Sequence, residues 1–206
     1  MADLIEVNLV GCHEKYLGLP CFTGRSKRNL FTNIVDRVWD KIKGWGEKLL
    51  SVGGKDILIK AIIHSIPAYA MSMFWLPNGL VREIQRLCAR FWWGGGGGGG
   101  GGGNEEKQKI HWCKWNVMCK DKTARGLGFK NLSTFNRVLL AKQGWWVLKY
   151  PNSLATRVLK GCYFNNEDFL DAVSKPSDSF VWKSITWGKG ILDTGLRWRV
   201  RNGSSI

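Results

Sequence analysis

Three small constellations in this chain could do chemistry, and each lacks a part. Cys12 beside His13 offers a thiol and a base, but nucleophilic catalysis needs a third group to orient the base, and adjacency in sequence supplies none. His111, Cys113 and Cys119 collect one imidazole and two thiols. A structural zinc site uses paired ligands, and Cys-x5-Cys with a single histidine falls short of that. The adjacent acids Glu105-Glu106 and Glu167-Asp168 lie in polar stretches and read as solvated loop charges, and no Asp-Asp pair occurs anywhere. The ten consecutive glycines at 94–103 do not make a phosphate loop. Asn104-Glu105-Glu106 follows them, where such a loop needs Gly-Lys-Ser or Gly-Lys-Thr ahead of a helix. His64, in an apolar segment, reads as a partly buried, hydrogen-bonded side chain. The residues alone therefore predict binding, with no catalytic residue, no metal and no cofactor.

Charge says what would be bound. The chain of 206 residues carries a formal net charge of +15. Residues 1–93 hold 13 Lys/Arg against 8 Asp/Glu, and residues 94–206 hold 18 against 8, so the halves stand at +5 and +10. An excess spread over both halves points to polyanions, nucleic acid first. Arg25, Lys27 and Arg28 cluster at the expected start of a helix. Cations are awkward there because the helix dipole is positive, and a bound phosphate would relieve the conflict. Lys55 and Lys60 follow on the next helix, and Arg197, Arg199 and Arg201 alternate with apolar residues near the C-terminus. Lys175, Lys183 and Lys189 stand for the opposite idea, a diffuse basic surface without position. The 12 tryptophans read mainly as core, although exposed aromatics among arginines can stack on unpaired bases.

These residues need elements to hold them. Apolar residues at Leu30, Phe31, Ile34, Val35, Val38, Trp39 and Ile42 repeat with the period of an amphipathic helix over 26–43. Ser51 caps a second helix through LIKAIIHSI, which Pro67 ends or kinks. A third runs over 79–92 with Leu80, Ile84, Leu87, Cys88 and Phe91 on its buried face. Beyond the glycines, IHWCKWNVMC reads as irregular or extended. LSTFNRVLLAKQGWWVLKY returns to helical periodicity, with Leu139, Leu140, Trp146 and Val147 apolar, and a further helix covers 154–163. LRWRVRNG alternates as a half-buried strand with a basic face, and Asn202-Gly203 is a hairpin turn. The chain stops three residues later, which reads as a truncated frame.

The order of motifs carries a resemblance. "KYLGLP" (15–20), "LSVGGKDILIKAIIHSIPAYAMSMFWLP" (50–77), "FWWG" (91–94), "KIHWCKW" (109–115), "GLGFKNLSTFNRVLLAKQGWW" (126–146) and "LRWRVRNGSSI" (196–206) succeed one another. The series resembles the region downstream of the catalytic palm in reverse transcriptases of plant LINE-type (non-LTR) retrotransposons. It covers nearly the whole chain apart from the first residues and the glycines. The resemblance implies that Tyr16 and Gly18 lie at a primer-grip edge. It also implies that the following helices form a thumb holding a template–primer duplex, RNA–DNA or DNA. Arg often stands in that family where this chain has Lys55, so the charge is kept but not the bidentate fork. The family's paired aspartates, which would hold two Mg²⁺ ions, are missing, so the resemblance implies no polymerase activity from this chain alone.

The expected organisation is mainly α. Residues 1–93 form the primer-grip edge and a helical thumb-like bundle, 94–108 a glycine-rich flexible loop, and 109–206 a Trp-rich basic region with a short C-terminal β element. A glycine coil of ten residues spans about 16–19 Å root-mean-square, enough for the flanking parts to move independently. It should stay disordered, so cutting it to three residues should change the melting temperature little. The function expected is that of a non-catalytic fragment gripping template–primer. The alternatives are a host-retained protein-interaction module, with the Trp-rich helices as partner surface, or a degenerate frame. A spanning helix is not expected, because the most apolar stretch, 61–76, is shorter than the ~20 residues required. The N-terminus has acids where a signal peptide is basic. Six cysteines without such a signal suit reduced thiols in an intracellular setting, nuclear or cytoplasmic.

Overall fold

The first long helix shows how these residues build a core. In a computed structural model that describes residues 15–16, 19–20, 31–46, 50–94 and 112–197, helix α1 runs over Thr32–Gly46. It buries Ile34, Val38 and Ile42, one turn apart, with Phe31 just ahead of them. The helix expected from residue 26 is thus seen from Thr32, and positions 26–30 lie outside the described residues. Ahead of it, strands β1 (Lys15–Tyr16) and β2 (Leu19–Pro20) pair antiparallel, with Lys15 opposite Pro20 and Tyr16 opposite Leu19.

Ser51 caps α2 (Val52–Leu58) as expected, its Oγ accepting from the Gly54 N–H at 3.1 Å. The helix then widens into a π-helical turn over Ile59–Ile63 that buries both of its end residues. Pro67 acts as a start as well as a stop. Its ring fixes φ near the helical value, here −78°, and its carbonyl accepts from Met71 N–H at 2.9 Å. Helix α3 (Ala68–Met73) grows from it. Helix α4 (Asn78–Trp93) then buries Leu80, Ile84, Leu87, Cys88 and Phe91, the expected face. Four α-helices, not three, therefore precede the glycines among the described residues.

After the glycines, the stretch expected to be irregular holds a short helix, α5 (Trp115–Met118). A tight loop follows, closed by Leu127 N–H to Met118 O and Gly128 N–H to Lys120 O, both 2.9 Å. Gly126 is required in it, since a Cβ there would lie 1.9 Å from the Lys120 carbonyl oxygen. Helix α6 (Leu132–Lys149) is capped by Asn131, and α7 (Leu154–Tyr163) by Ser153. Of the α6 residues singled out, Leu140 and Val147 are buried, but Trp146 is 52% exposed. Helix α8 (Phe180–Gly195) follows a Ser179 cap, and the spacing of its residues had not predicted a helix there. The expected C-terminal strand falls mostly on 198–206, outside the described residues.

Two cores result. The larger gathers residues of α1 to α4 with Met118, Phe129, Leu132 and Phe180, so it joins chain from both sides of the glycines. Side chains tie those parts together. Buried Asn136 accepts from Leu76 N–H at 3.0 Å and donates to the carbonyls of Met71 at 2.7 Å and Phe74 at 2.9 Å. Buried Ser184 accepts from Trp75 N–H at 2.9 Å and donates to Phe180 O. Independent movement of two halves is incompatible with a shared core of this kind. The smaller core surrounds fully buried Trp182, with Val147, Phe164, Phe169, Ala172 and Ile185. Helices α6 and α8 serve both cores and meet closely at Gly188, where a Cβ would sit 2.6 Å from the Ala141 nitrogen.

Candidate nucleic-acid interface

The residues expected to touch nucleic acid fall into three groups. Gly18, Arg25, Lys27, Arg28, Arg199 and Arg201 lie outside the described residues, as do Cys12, His13 and His111. Tyr16 is placed by its backbone alone, in the β1–β2 pair. Lys55, Lys60 and Arg197 are described, and they differ. Arg197 is exposed just beyond α8. Lys60 is half-exposed, paired with Asp56 at 2.7 Å and set 5.5 Å from the centre of the Phe129 ring.

Lys55 has another task. It is only 7% exposed, and its Nζ donates to the carbonyls of Trp92 and Gly94 at the end of α4. A helix C-terminus leaves carbonyls without helical partners and carries partial negative charge, so an ammonium there is well placed. The same ammonium lies 5.9 Å from the centre of the Phe91 ring. Lys55 thus ties α2 to α4, which the sequence, showing only a charge on a helix, did not reveal.

The fold brings other cations forward. Arg82, Arg86 and Arg90 recur every four residues along the solvent face of α4, all exposed. That spacing makes one row on a helix. The Arg90 guanidinium lies 6.0 Å from the exposed indole of Trp39 on α1. A second group occupies the tight loop and its flanks, where Lys114, Lys120, Lys122, Arg125 and Lys130 are exposed with Asp121 between them. Arg125 takes the left-handed conformation, φ 58°. None of these eight entered the expected site, although the period-four row on α4 was open to view in the sequence.

A third group forms a hollow of about 540 Å³ at the α3–α8 edge. Trp75 and Trp187 stack there with ring centres 5.1 Å apart, and the Arg137 guanidinium lies 5.5 Å from Trp187. Lys175, Lys183 and Lys189 also line it. The sequence sets these three lysines apart as charge without position, and the fold gathers them at one hollow. Tryptophans follow the core expectation only in part. Trp182 is fully buried, whereas Trp112 is 79% exposed, and Trp39, Trp145 and Trp146 are exposed as well.

Among the described residues, burial shifts three titratable groups. His64 is buried, not partly so, and neither ring nitrogen has a hydrogen-bond partner among the described residues. Burial first, then the charges of Lys130 and Lys60, holds its pKa down to about 4. Burial pushes the Cys88 thiol up to about 12, with neighbouring Cys119 adding to it, and Cys119 itself up to about 11. Such thiols stay protonated, which opposes both nucleophilic and metal-binding roles. Among the described residues no group of three His, Cys, Asp or Glu side chains could hold a metal ion. Glu167 and Asp168 are exposed, as expected of loop charges. No helix among the described residues is long and apolar enough to cross a membrane.

Comparison with known proteins gives two relatives. The chain is 34% identical over 191 residues, 91% of its length, to "Putative ribonuclease H protein At1g65750" of Arabidopsis thaliana, of which it spans 30%. It is also 34% identical over 140 residues to "Uncharacterized mitochondrial protein AtMg00310" of the same plant, covering 68% of this chain and 86% of that protein. No family model and no solved structure matches. The second alignment is long enough on both sides to decide the matter: the chain belongs to the same protein family as AtMg00310.

Proposed function

We propose that this chain is a retroelement-derived part of a plant LINE-type reverse transcriptase, acting as a grip on the template–primer duplex without polymerase chemistry of its own. The observation that carries the reading is the row Arg82, Arg86, Arg90 on the exposed face of α4, within the stretch whose sequence motifs resemble the thumb region. Three guanidinium groups about 6 Å apart along a helix suit successive phosphates, because duplex affinity comes chiefly from neutralised backbone charge. The motif order supports it, as does likeness to a protein named for ribonuclease H. Tyr16 of β1, together with Gly18, Arg25, Lys27 and Arg28 of the same stretch of sequence, would extend the same contact. Lys60, half-exposed beside Asp56, and Arg197, exposed, would belong to it too; Lys55 supports it from behind by fixing the end of α4.

The test is a salt titration of binding to an RNA–DNA hybrid, read by fluorescence anisotropy. Removing one phosphate-binding charge should lower the log–log slope by about one. Replacing Arg82, Arg86 and Arg90 by Gln should therefore flatten it by about three, and the same change at Arg25, Lys27 and Arg28 should act similarly. An unchanged slope in both would overturn the grip. The purified chain should extend no primer with Mg²⁺ or Mn²⁺.

A second reading, a protein-interaction module, has one observation in its favour. Trp145, Trp146 and Tyr150 are exposed together at the end of α6, with Trp146 and Tyr150 4.6 Å apart. Tight, salt-insensitive capture of a protein partner, abolished on replacing these three, would favour it over the duplex.

A further inference from the structure

The hollow beside α8 is built in a way that bulk charge does not require. Arg137, Trp187 and Trp75 form a ladder, guanidinium on indole on indole. Gly190 makes room for it, because a Cβ there would come within 2.8 Å of the Arg137 guanidinium nitrogen. Both indoles line the hollow, and Trp75, which carries no guanidinium of its own in this group, offers the end of the ladder to a further ring. The opposite wall is the segment 170–178. Lys189 holds it by donating to the carbonyls of Leu170 and Ala172, and Lys183 by donating to that of Pro176. Asp178 is occupied in the same wall, accepting from the Lys175 N–H at 2.7 Å. The Lys175 side chain is exposed, and among the described residues no acidic side chain lines the hollow. An ammonium has three donors, so after these bonds Lys183 and Lys189 keep capacity for an anion.

From this juxtaposition of an open-ended aromatic ladder with three lysines, we infer that the hollow binds unpaired nucleic acid, one base stacked on Trp75 and its phosphates held by Lys175, Lys183 and Lys189. Every base has a π-face, so such a site tolerates any sequence, and it uses both walls at once. An acidic peptide would use the lysines but leave the ladder idle. A duplex, its bases already stacked on one another, would do the same. The inference rests on the nucleic-acid reading proposed above, and it places a single-stranded segment on a different side chain set from the arginine row of α4.

The experiment compares two labelled probes, an oligothymidylate of about 10 nucleotides and an RNA–DNA hybrid of equal length, by fluorescence anisotropy on the full chain. Trp75→Leu should weaken oligothymidylate binding about tenfold, as loss of one stacked base does. Lys175→Glu, at an exposed side chain, should weaken it severalfold with the melting temperature unchanged, which guards against a folding defect in the tryptophan variant. Neither should alter hybrid binding by more than about twofold, while the α4 arginine triple should show the reverse pattern. Oligothymidylate binding that survives both changes would overturn the inference and leave the α4 grip standing. So would hybrid binding with no oligothymidylate binding. Failure of both probes would overturn both readings. Competition by polyglutamate as effective as by unlabelled oligothymidylate would show an anion site without stacking and overturn the inference as well.

Discussion

The two cores of this protein are assembled by different means. In the larger one, most buried residues come from helices α1 to α4, whose apolar residues repeat at helical spacing and meet in the middle. Its polar groups are tied by Asn136 and Ser184, reaching from α6 and α8 to the backbone around α3. The smaller core is aromatic. Tyr163 and Phe164 stack on Trp182 with ring centres 4.8 and 5.5 Å away, and Phe169 meets it edge-on at 6.0 Å. Phe164, Phe169 and Ala172 come from the turns between α7 and α8 rather than from a helix face. The difference also runs through the surfaces. A helix sets the arginine row outside the first core, whereas an irregular segment sets the lysine hollow beside the second.

The largest expected effect comes from separating the cores where α6 and α8 cross. In Gly188→Val the new side chain must enter the backbone of Leu140 and Ala141, which no rotamer can avoid. Overpacking against backbone should cost more than about 3 kcal/mol, and denaturant unfolding should lose a single cooperative transition. A full-stability variant would mean that the cores do not depend on this crossing.

Asn136→Ala attacks the larger core by its ties. Three buried backbone groups, Leu76 N–H and the carbonyls of Met71 and Phe74, would lose their partner. At ~1–3 kcal/mol for each unsatisfied group, less any water that enters, the loss should be roughly 3 kcal/mol. A loss below about 1 kcal/mol, the low end for one such group, would show that the helices hold α3 without it.

His64 sharpens the comparison through pH, since this ionisable ring is fully buried beside Phe129 of the larger core. Its ordinary pKa of 6.5 is lowered to about 4 in the fold, so the unfolded chain binds the proton first. Stability is therefore full above pH 6.5, declines as pH falls from 6.5 through about 4, and levels off below that. The span should amount to roughly 3.5 kcal/mol, at about 1.4 kcal/mol per pKa unit. His64→Leu should flatten the profile in that window. A mutant profile that follows the parent's would place the acid sensitivity elsewhere.

The smallest effect on stability should come from Arg82, Arg86 and Arg90 to Gln, within about 0.5 kcal/mol overall, because exposed helix positions tolerate such changes. A marked drop in melting temperature would mean that the row serves the fold rather than a partner.

The sequence by itself determined the mainly α architecture, the buried face of α4, the Ser51 cap and the span of α7, since each follows from local spacing or local hydrogen bonding. It also held the motif order that tied the chain to retroelement proteins. Other features were decided by tertiary structure. Gly188 and Gly190 give α8 little local sign of helix, and that helix exists because α6 offers a surface its glycines can approach closely. Lys55 looked like a phosphate ligand until the end of α4 arrived beside it with carbonyls to fill. Lys175, Lys183 and Lys189 lie up to fourteen positions apart, and only the segment wrapped over Trp182 brings them to one hollow. Local patterns report what a residue does with neighbours three or four positions away; who meets whom across the chain depends on how the helices pack.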